Sequence, residues 1–417
     1  MSSGNLTRSS HPELFVWSGE LNPADYLFAT YRISAVCKPE DAARGMAMEQ
    51  SAATVSIPGF VGPAAMRDWT IRVRELRPAG PSAAAQVAPY SLSTDVYPDP
   101  EPGSAAAEGW DVELAFPRRL LAGRPGQLLN ILVGELPRLG FLTRFQLVDS
   151  NLPEEFGPGP AFGVEGIRAR LGNPKGPLLC RSMRPAVGLD TATMARLNRE
   201  VLSGGFHLVK DDELACFPDL AVFRQHLRAM IQARDEARER SGEPKLYLAN
   251  LICEPEELEG RWELARELGV DGVLVAPFIQ GPGVLPRLAR EAALPLLAHN
   301  TFSDLLTRNG GWGVASAVLC GWQRRLGADW FVTPGPFATP HLPAQLAADF
   351  LQAARRPLAG VRPSMPILQG GKHPEGLPGY RAAMGSDDFM LIVASWVDSH
   401  PEGIAAAARR FREAVEG

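Results

Sequence analysis

Gly204-Gly205-Phe206-His207-Leu208-Val209-Lys210-Asp211-Asp212-Glu213 opens on two glycines, runs through an apolar segment of strand character at 206–209, and ends on a lysine followed by three carboxylates. Amphipathic helical patterns flank it at 191–203 and 219–240. The same alternation continues outward, with strand-like runs at 178–183, 206–209, 246–252, 272–277, 294–299, 330–333, 365–368 and 389–395. Further helical patterns fall at 255–268, 313–326 and 343–355, with a closing one at 402–415. Apolar strands alternating with helices are the signature of parallel strands joined by crossovers. Eight such units predict a (β/α)8 TIM barrel; a doubly wound open sheet is the alternative that alternation alone leaves open.

Before the Pro/Gly-rich stretch at 153–163 the regime differs. Short strand-like runs at 26–36, 54–57, 86–92 and 111–116 mix with helical patterns at 39–51 and 125–135. The expectation is an N-terminal α+β, ferredoxin-like domain over 1–155 and the barrel, carrying the site, over 156–417. Ala/Pro-rich pieces at 78–87 and 99–108 read as loops.

Composition narrows the function. With 417 residues and 45% hydrophobic content the chain can bury two cores. A net charge of −5 supplies no basic field for nucleic acid or an anionic membrane. No apolar run approaches a membrane span and the N-terminus has no apolar core of a signal, so the cytoplasm is the expected address. The five cysteines, Cys37, Cys180, Cys216, Cys253 and Cys320, form no CxxC pair and read as buried thiols. Lysine occurs only at Lys38, Lys175, Lys210, Lys245 and Lys372, so one at the end of a strand invites a reason.

Barrel sites sit at the C-terminal ends of the strands. Extended-chain alternation lets Lys210 and Asp212 point to one side, with Glu213 turning in from the loop. Hard cations such as Mg2+ take oxygen ligands; a lysine cannot bind one directly, but as a carbamate formed with CO2 it becomes a third carboxylate. That reaction needs a neutral amine, which burial favours. A solvated charge run at the start of a helix is the other reading these four residues allow.

The pattern Gly-Gly-x-x-x-x-Lys-Asp-Asp-Glu resembles the carbamylated-lysine motif of the Rubisco large-chain family. Met183-Arg184-Pro185-Ala186-Val187-Gly188-Leu189 resembles that family's first-strand Ile-Lys-Pro-Lys-Leu-Gly-Leu. The fifth strand ends at His299, the seventh runs into Gln369-Gly370-Gly371, and His400-Pro401-Glu402-Gly403 follows the eighth. In the first domain, 49–54 and Asn130-Ile131-Leu132-Val133-Gly134 resemble segments lent to a partner subunit's active site. The resemblance implies a carbamate on Lys210, Mg2+ on Lys210, Asp212 and Glu213, and His299 contacting substrate or relaying protons. It implies phosphate contacts at Gln369, Gly370, Gly371 and Ser395, and a homodimer whose sites receive Glu49 and Asn130 from the partner subunit.

The departures point away from CO2 fixation. The loop at 333–340 lacks the lysine that carboxylation needs, and the two first-strand lysines are Arg184 and Ala186. An arginine cannot shuttle a proton at neutral pH, but its fork suits a carboxylate or phosphate; a structural ion pair is the other reading. Ala394-Ser395-Trp396, Gln369, Asn300 and Val332 replace residues that hold a bisphosphate, while Lys372 and His373 offer replacement charge. The resemblance thus implies a non-carboxylating Rubisco-like lyase or isomerase: Mg2+-dependent enolate chemistry, by decarboxylation, isomerisation or tautomerisation, on a keto-sugar or sugar-acid phosphate. The alternatives are an enolase or isomerase of a thiomethyl sugar phosphate in methionine salvage, and a catalytically relict binding or regulatory protein.

Overall fold

The computed structural model describes residues 11–51, 62–81, 108–308, 311–333 and 344–417. The expected strands at 54–57 and 86–92, and the loop at 334–340, lie outside the described residues. The chain divides into two compact units, Met1–Phe156 with Leu305–Leu319, and Gly157–Asp304 with Cys320–Gly417.

The first unit is a mixed sheet of β1 (Tyr26–Ala35), β2 (Arg72–Pro81), β3 (Glu108–Pro117), β4 (Leu142–Ser150) and β10 (Trp312–Val314). Its strand order is β10-β4-β1-β3-β2. Along β1, Leu27, Ala29, Tyr31 and Ile33 are buried while Arg32 on the other face pairs with Asp111 at 2.8 Å. This is the period-2 pattern of a half-covered antiparallel strand.

Three readings of the sequence are corrected here. Residues 78–81, read as loop, finish β2, where prolines are tolerated because, among the described residues, β2 is an edge strand of this sheet, next to β3. The helix expected over 125–135 divides into Pro125–Leu129 and a π turn at Asn130–Gly134. The helix expected from 313 begins at Ser316, because residues 312–314 pair in parallel with β4. Gly313 has φ +123°, and a Cβ there would lie 2.1 Å from the Leu306 carbonyl oxygen.

The second unit contains eight parallel strands in a closed ring: β5 (Leu178–Ser182), β6 (Leu208–Lys210), β7 (Leu246–Asn250), β8 (Gly272–Val275), β9 (Leu296–Ala298), β11 (Trp330–Val332), β12 (Met365–Leu368) and β13 (Met390–Ile392). Each of the eight barrel strands expected from the sequence is present, most of them one to three residues shorter than expected. Helices Thr191–Ser203 and Leu220–Ser241 begin where Asp190 and Asp219 accept hydrogen bonds from Thr193 N and Val222 N, as N-cap carboxylates do. Among the described residues no helix is long and apolar enough to cross a membrane.

The barrel core takes every second strand residue: Leu178 and Cys180, Leu208, Leu246 and Leu248, Leu274, Leu297, Trp330 and Val332, Met365 and Ile367, Met390 and Ile392. Continuing that alternation one step beyond the apolar layers reaches Ser182, Lys210, Asn250, His299, Gln369 and Ala394. The pleat itself carries these side chains to the rim.

The two glycines that open the Lys210 stretch serve packing. A Cβ on Gly204 would stand 2.6 Å from Ala408 Cβ and 2.7 Å from the Ala405 oxygen, both on the closing helix Ile404–Glu416. Gly205 has φ +115°, a conformation side chains rarely adopt. Not all cysteines are buried, contrary to expectation: Cys180 and Cys320 are, Cys37 and Cys253 are intermediate, and Cys216 is exposed.

At the other end of the barrel, buried Asp329 accepts Phe162 N and Gly163 N at 2.8 Å each and Leu296 N at 2.9 Å. Asp329→Ala would orphan three buried donors and should cost about 3 kcal/mol or more. Urea unfolding measures it, and a loss below about 1 kcal/mol would show that those donors find other partners.

Candidate active site

β6 ends at Lys210, between Ser182 of β5 and Leu248 of β7 in register. The Lys210 ammonium is 1% exposed. It donates to Glu213 Oε2 at 3.2 Å and to the Asp211 carbonyl at 3.1 Å. An ammonium taken out of water must be paired, and the turn after β6 supplies both partners.

The next two carboxylates point in opposite directions, as strand alternation requires. Asp211 is fully buried behind the rim, accepting Tyr247 Oη at 2.8 Å, Asn250 N at 3.0 Å and His226 Nε2 at 2.9 Å. Burial lowers the His226 pKa, but the Asp211 charge and its hydrogen bond outweigh this and raise it. Asp212 faces the rim, where Ser182 Oγ donates to Oδ2 at 3.1 Å, Arg184 Nε to Oδ2 at 3.0 Å, and Leu214 N to Oδ1 at 3.1 Å. Asn250 Nδ2 ties down the loop through the carbonyls of Asp212 and Ala215, at 3.2 and 3.1 Å.

His299 follows β9 and is 4% exposed. Its Nδ1 contacts Thr301 Oγ1 at 2.6 Å. Its Nε2 lies 3.3 Å from Glu213 Oε2 yet is buried without a hydrogen-bond partner. Burial and the Lys210 charge hold its pKa at about 4, against the pull of Glu213. For Glu213 burial acts upward, but the charges of Lys210 and His299 prevail and hold it at about 2. At neutral pH the site therefore presents a carboxylate and a neutral imidazole with an idle nitrogen.

A cavity of ≈180 Å³ opens over these groups, lined on one side by Ser182, Arg184, Lys210 and Glu213 and on the other by residues 369–372 and 394–396. Gly370 and Gly371 have φ of +75° and +57°. Gln369 turns its amide to Asn300 Oδ1 at 3.0 Å, and Ser395 begins the short helix Ser395–Asp398. Lys372 donates to the Gly370 carbonyl at 2.7 Å, and burial lowers its pKa to about 8.

Arg184 lines the cavity and makes the ion pair that is the second reading of its fork. It pairs with Asp212 and approaches Glu213 Oε1 at 3.7 Å, because two carboxylates two and three positions beyond Lys210 form the nearest negative field. Glu49 and Asn130 belong to the first unit. Glu49 pairs with Arg138 Nη2 at 2.5 Å and Asn130 contacts Gln127 at 3.3 Å.

Among the described residues no three His, Cys, Asp or Glu side chains are arranged to hold a metal. Asp212 and Glu213 provide oxygen on two carboxylates, and the Lys210 nitrogen stands 3.2 Å from Glu213 Oε2. A carbamate on Lys210 would add the third oxygen donor, giving the all-oxygen set that a hard cation prefers. The donor chemistry fits Mg2+ on that condition. The sequence reading missed Ser182, Asn250 and the Asp211–His226–Tyr247 group; the strand alternation could have found the first two.

In chelator-treated protein free of bicarbonate, an NMR titration should find His299 neutral until about pH 4 and His226 protonated above its ordinary 6.5. Since the folded value of His299 lies below the unfolded 6.5, its contribution to stability is present above 6.5 and lost as pH falls toward 4. Unfolding at pH 7 and pH 5 should show an acid loss in the wild type larger by on the order of 1–2 kcal/mol than in His299→Gln, with buried His207 contributing alike to both. An equal loss in both would contradict the assignment.

Residues 163–336 match the family described as ribulose bisphosphate carboxylase large chain, catalytic domain. A ribulose bisphosphate carboxylase-like protein of Archaeoglobus fulgidus is 29% identical over 406 residues, spanning 95% of this chain and 88% of that one. A protein of Geobacillus kaustophilus named 2,3-diketo-5-methylthiopentyl-1-phosphate enolase is 30% identical over 311 residues, 73% of this chain and 74% of that one. Among solved structures, a rubisco-like protein from Alicyclobacillus acidocaldarius superposes with TM-score 0.78 at 26% identity, covering 94% of this chain and 93% of that one. Octameric Rubisco from Pyrococcus horikoshii gives TM-score 0.82 at 25% identity, covering 97% and 92%. The barrel, the Lys210 rim and these likenesses together place the chain in the ribulose bisphosphate carboxylase large-chain family, as a Rubisco-like protein.

Proposed function

We propose that this chain is a non-carboxylating enzyme that forms an enolate from a keto-sugar or sugar-acid phosphate. The observation that carries the reading is the convergence of Lys210 and Glu213 on one cavity whose other side is Gly370, Gly371 and Lys372, with His299 Nε2 3.3 Å from Glu213 Oε2. The first wall offers groups that accept protons or hold a cation; the second offers backbone N–H groups and an ammonium to an anion. Relatives named as enolases support the reaction class.

Mg2+ held by Asp212, Glu213 and a carbamate on Lys210 would supply the positive charge that stabilises a developing enolate oxygen. To form that carbamate the neutral Lys210 amine attacks the carbon of CO2; the N–C bond forms, one C=O electron pair moves onto oxygen, and the amine proton leaves to water. The carbamate on Lys210 is the first candidate for base, and His299 Nε2 the second, since it is neutral and unpartnered. Asp211, through Tyr247, Asn250 and His226, holds the turn that presents these groups. Ala394 and Trp396 at the second wall narrow the space for a phosphate compared with glycines.

A panel of keto-sugar, thiomethyl diketo-sugar and sugar-acid phosphates, incubated in D2O with Mg2+ and bicarbonate, should include one that exchanges an α-proton or releases CO2, without fixing labelled CO2. Lys210→Ala and Glu213→Gln should lower that rate by about 10³-fold. Activity surviving in both variants would sink the mechanism.

We also propose a homodimer in which Glu49 and Asn130 complete the neighbour's site. Mixing two inactive variants, Glu49→Gln and Lys210→Ala, should restore activity as hybrid dimers form, because one of the two sites then holds both native residues. No recovery after subunit exchange would overturn the shared site.

A further inference from the structure

Arg184 holds its rim carboxylate from a half-exposed position. Its carbonyl is fixed by buried Arg181, which donates to it at 2.8 Å and is itself anchored on Asp398 at 2.8 Å. Its guanidinium is 55% exposed, whereas the Asp212 carboxylate that it holds is 1% exposed. The base of the side chain is thus pinned and its tip is free to leave.

The atoms it occupies explain why it should leave Asp212, and the formal charges explain why it should stay close. Arg184 and Lys210 cancel Asp212 and Glu213 as the four stand. Turning Lys210 into a carbamate and adding a divalent cation keeps the sum at zero only while the arginine charge stays nearby. Its present position is incompatible with that state, because Nε occupies Asp212 Oδ2 and Nη2 approaches Glu213 Oε1. A cation held by these two carboxylates would compete with the guanidinium for them. Asp212 keeps Ser182 Oγ and Leu214 N as donors when the arginine departs.

We propose that Arg184 is a displaceable counter-cation that competes with the metal for Asp212 and Glu213 and, once displaced, binds the anionic group of the substrate, so that metal and anion bind cooperatively. The inference rests on the metal reading above. The cavity that Arg184 lines already contains the route, since the same space reaches Gly370, Gly371 and Lys372 on its far wall. Linkage then demands reciprocity: the factor by which an anion tightens the metal equals the factor by which the metal tightens the anion.

The test uses Mn2+, read by electron paramagnetic resonance in bicarbonate buffer, with sulfate as the anion. Wild-type protein should bind Mn2+ about tenfold more tightly in saturating sulfate, and sulfate more tightly by the same factor with Mn2+ bound. Arg184→Gln should bind Mn2+ at least about tenfold more tightly than wild type without sulfate, and lose the response to sulfate. Arg184→Lys, which keeps a charge without the fork, should retain the competition, and urea unfolding of each variant establishes that it is folded. Equal Mn2+ affinity and equal sulfate response in wild type and Arg184→Gln would overturn the role of Arg184 and leave the metal site standing. No Mn2+ binding by any of the three would overturn both.

Discussion

Lys210 takes a formal charge to the end of a strand between Ser182 and Leu248, and removing an ammonium from water costs on the order of several kcal/mol unless partners replace the solvent. Much of the rim follows from that constraint. Glu213 must turn back to pair with the ammonium, which forces a tight loop after β6. Asp211, pointing the other way, secures the loop from below through Tyr247, His226 and the Asn250 backbone, and Asn250 closes it from the next strand. His299 then sits against a carboxylate already committed to the lysine, which is why its Nε2 is left without a partner. Stability and reactivity are here two sides of one arrangement: the groups that make burial of Lys210 tolerable are those that would hold a cation and move a proton.

Much of this was legible in the sequence, for an identifiable reason. Barrel strands buried on both faces are short continuous apolar runs, and each of the eight stands out between amphipathic helices. The polar residue that ends such a run is conspicuous, so Lys210, His299 and Gln369 were visible as rim residues. What escaped notice depends on pairing between distant parts of the chain. β2 is charged and ends in prolines because it is an edge, and no local pattern separates that from a loop. The segment 312–314 continues the apolar periodicity of the helix after it, and β4 rather than propensity makes it a strand. Asp211 looked like one more carboxylate of a charge run; only its burial among residues from β7 and the following helix distinguishes it from Asp212.

The replacement of a lysine by Arg184 illustrates how one position can redirect a site. Both residues are cationic, but guanidinium stays charged and offers a planar fork, so it seeks carboxylates and cannot transfer protons. On this rim it finds Asp212 first. The absence of lysine at Ala186 and in the loop at 333–340 leaves the oxygen donors in place, in keeping with the enolate chemistry proposed above.

The contact between the Gly204-Gly205 pair and the closing helix bears on how the protein is made. Arg412 of that helix reaches the buried imidazole of His207, 205 positions earlier in the chain, and Ala405 and Ala408 lie on Gly204. β5 likewise has no partner on one side until β13 arrives. During synthesis β5 therefore emerges early but waits, with one edge uncovered, until β13 is translated, and Gly204 waits longer still for its helix. The interval in which a nascent chain is open to aggregation or to chaperone capture is set by that sequence separation, and the lysine reaches its finished surroundings only after the ring has closed.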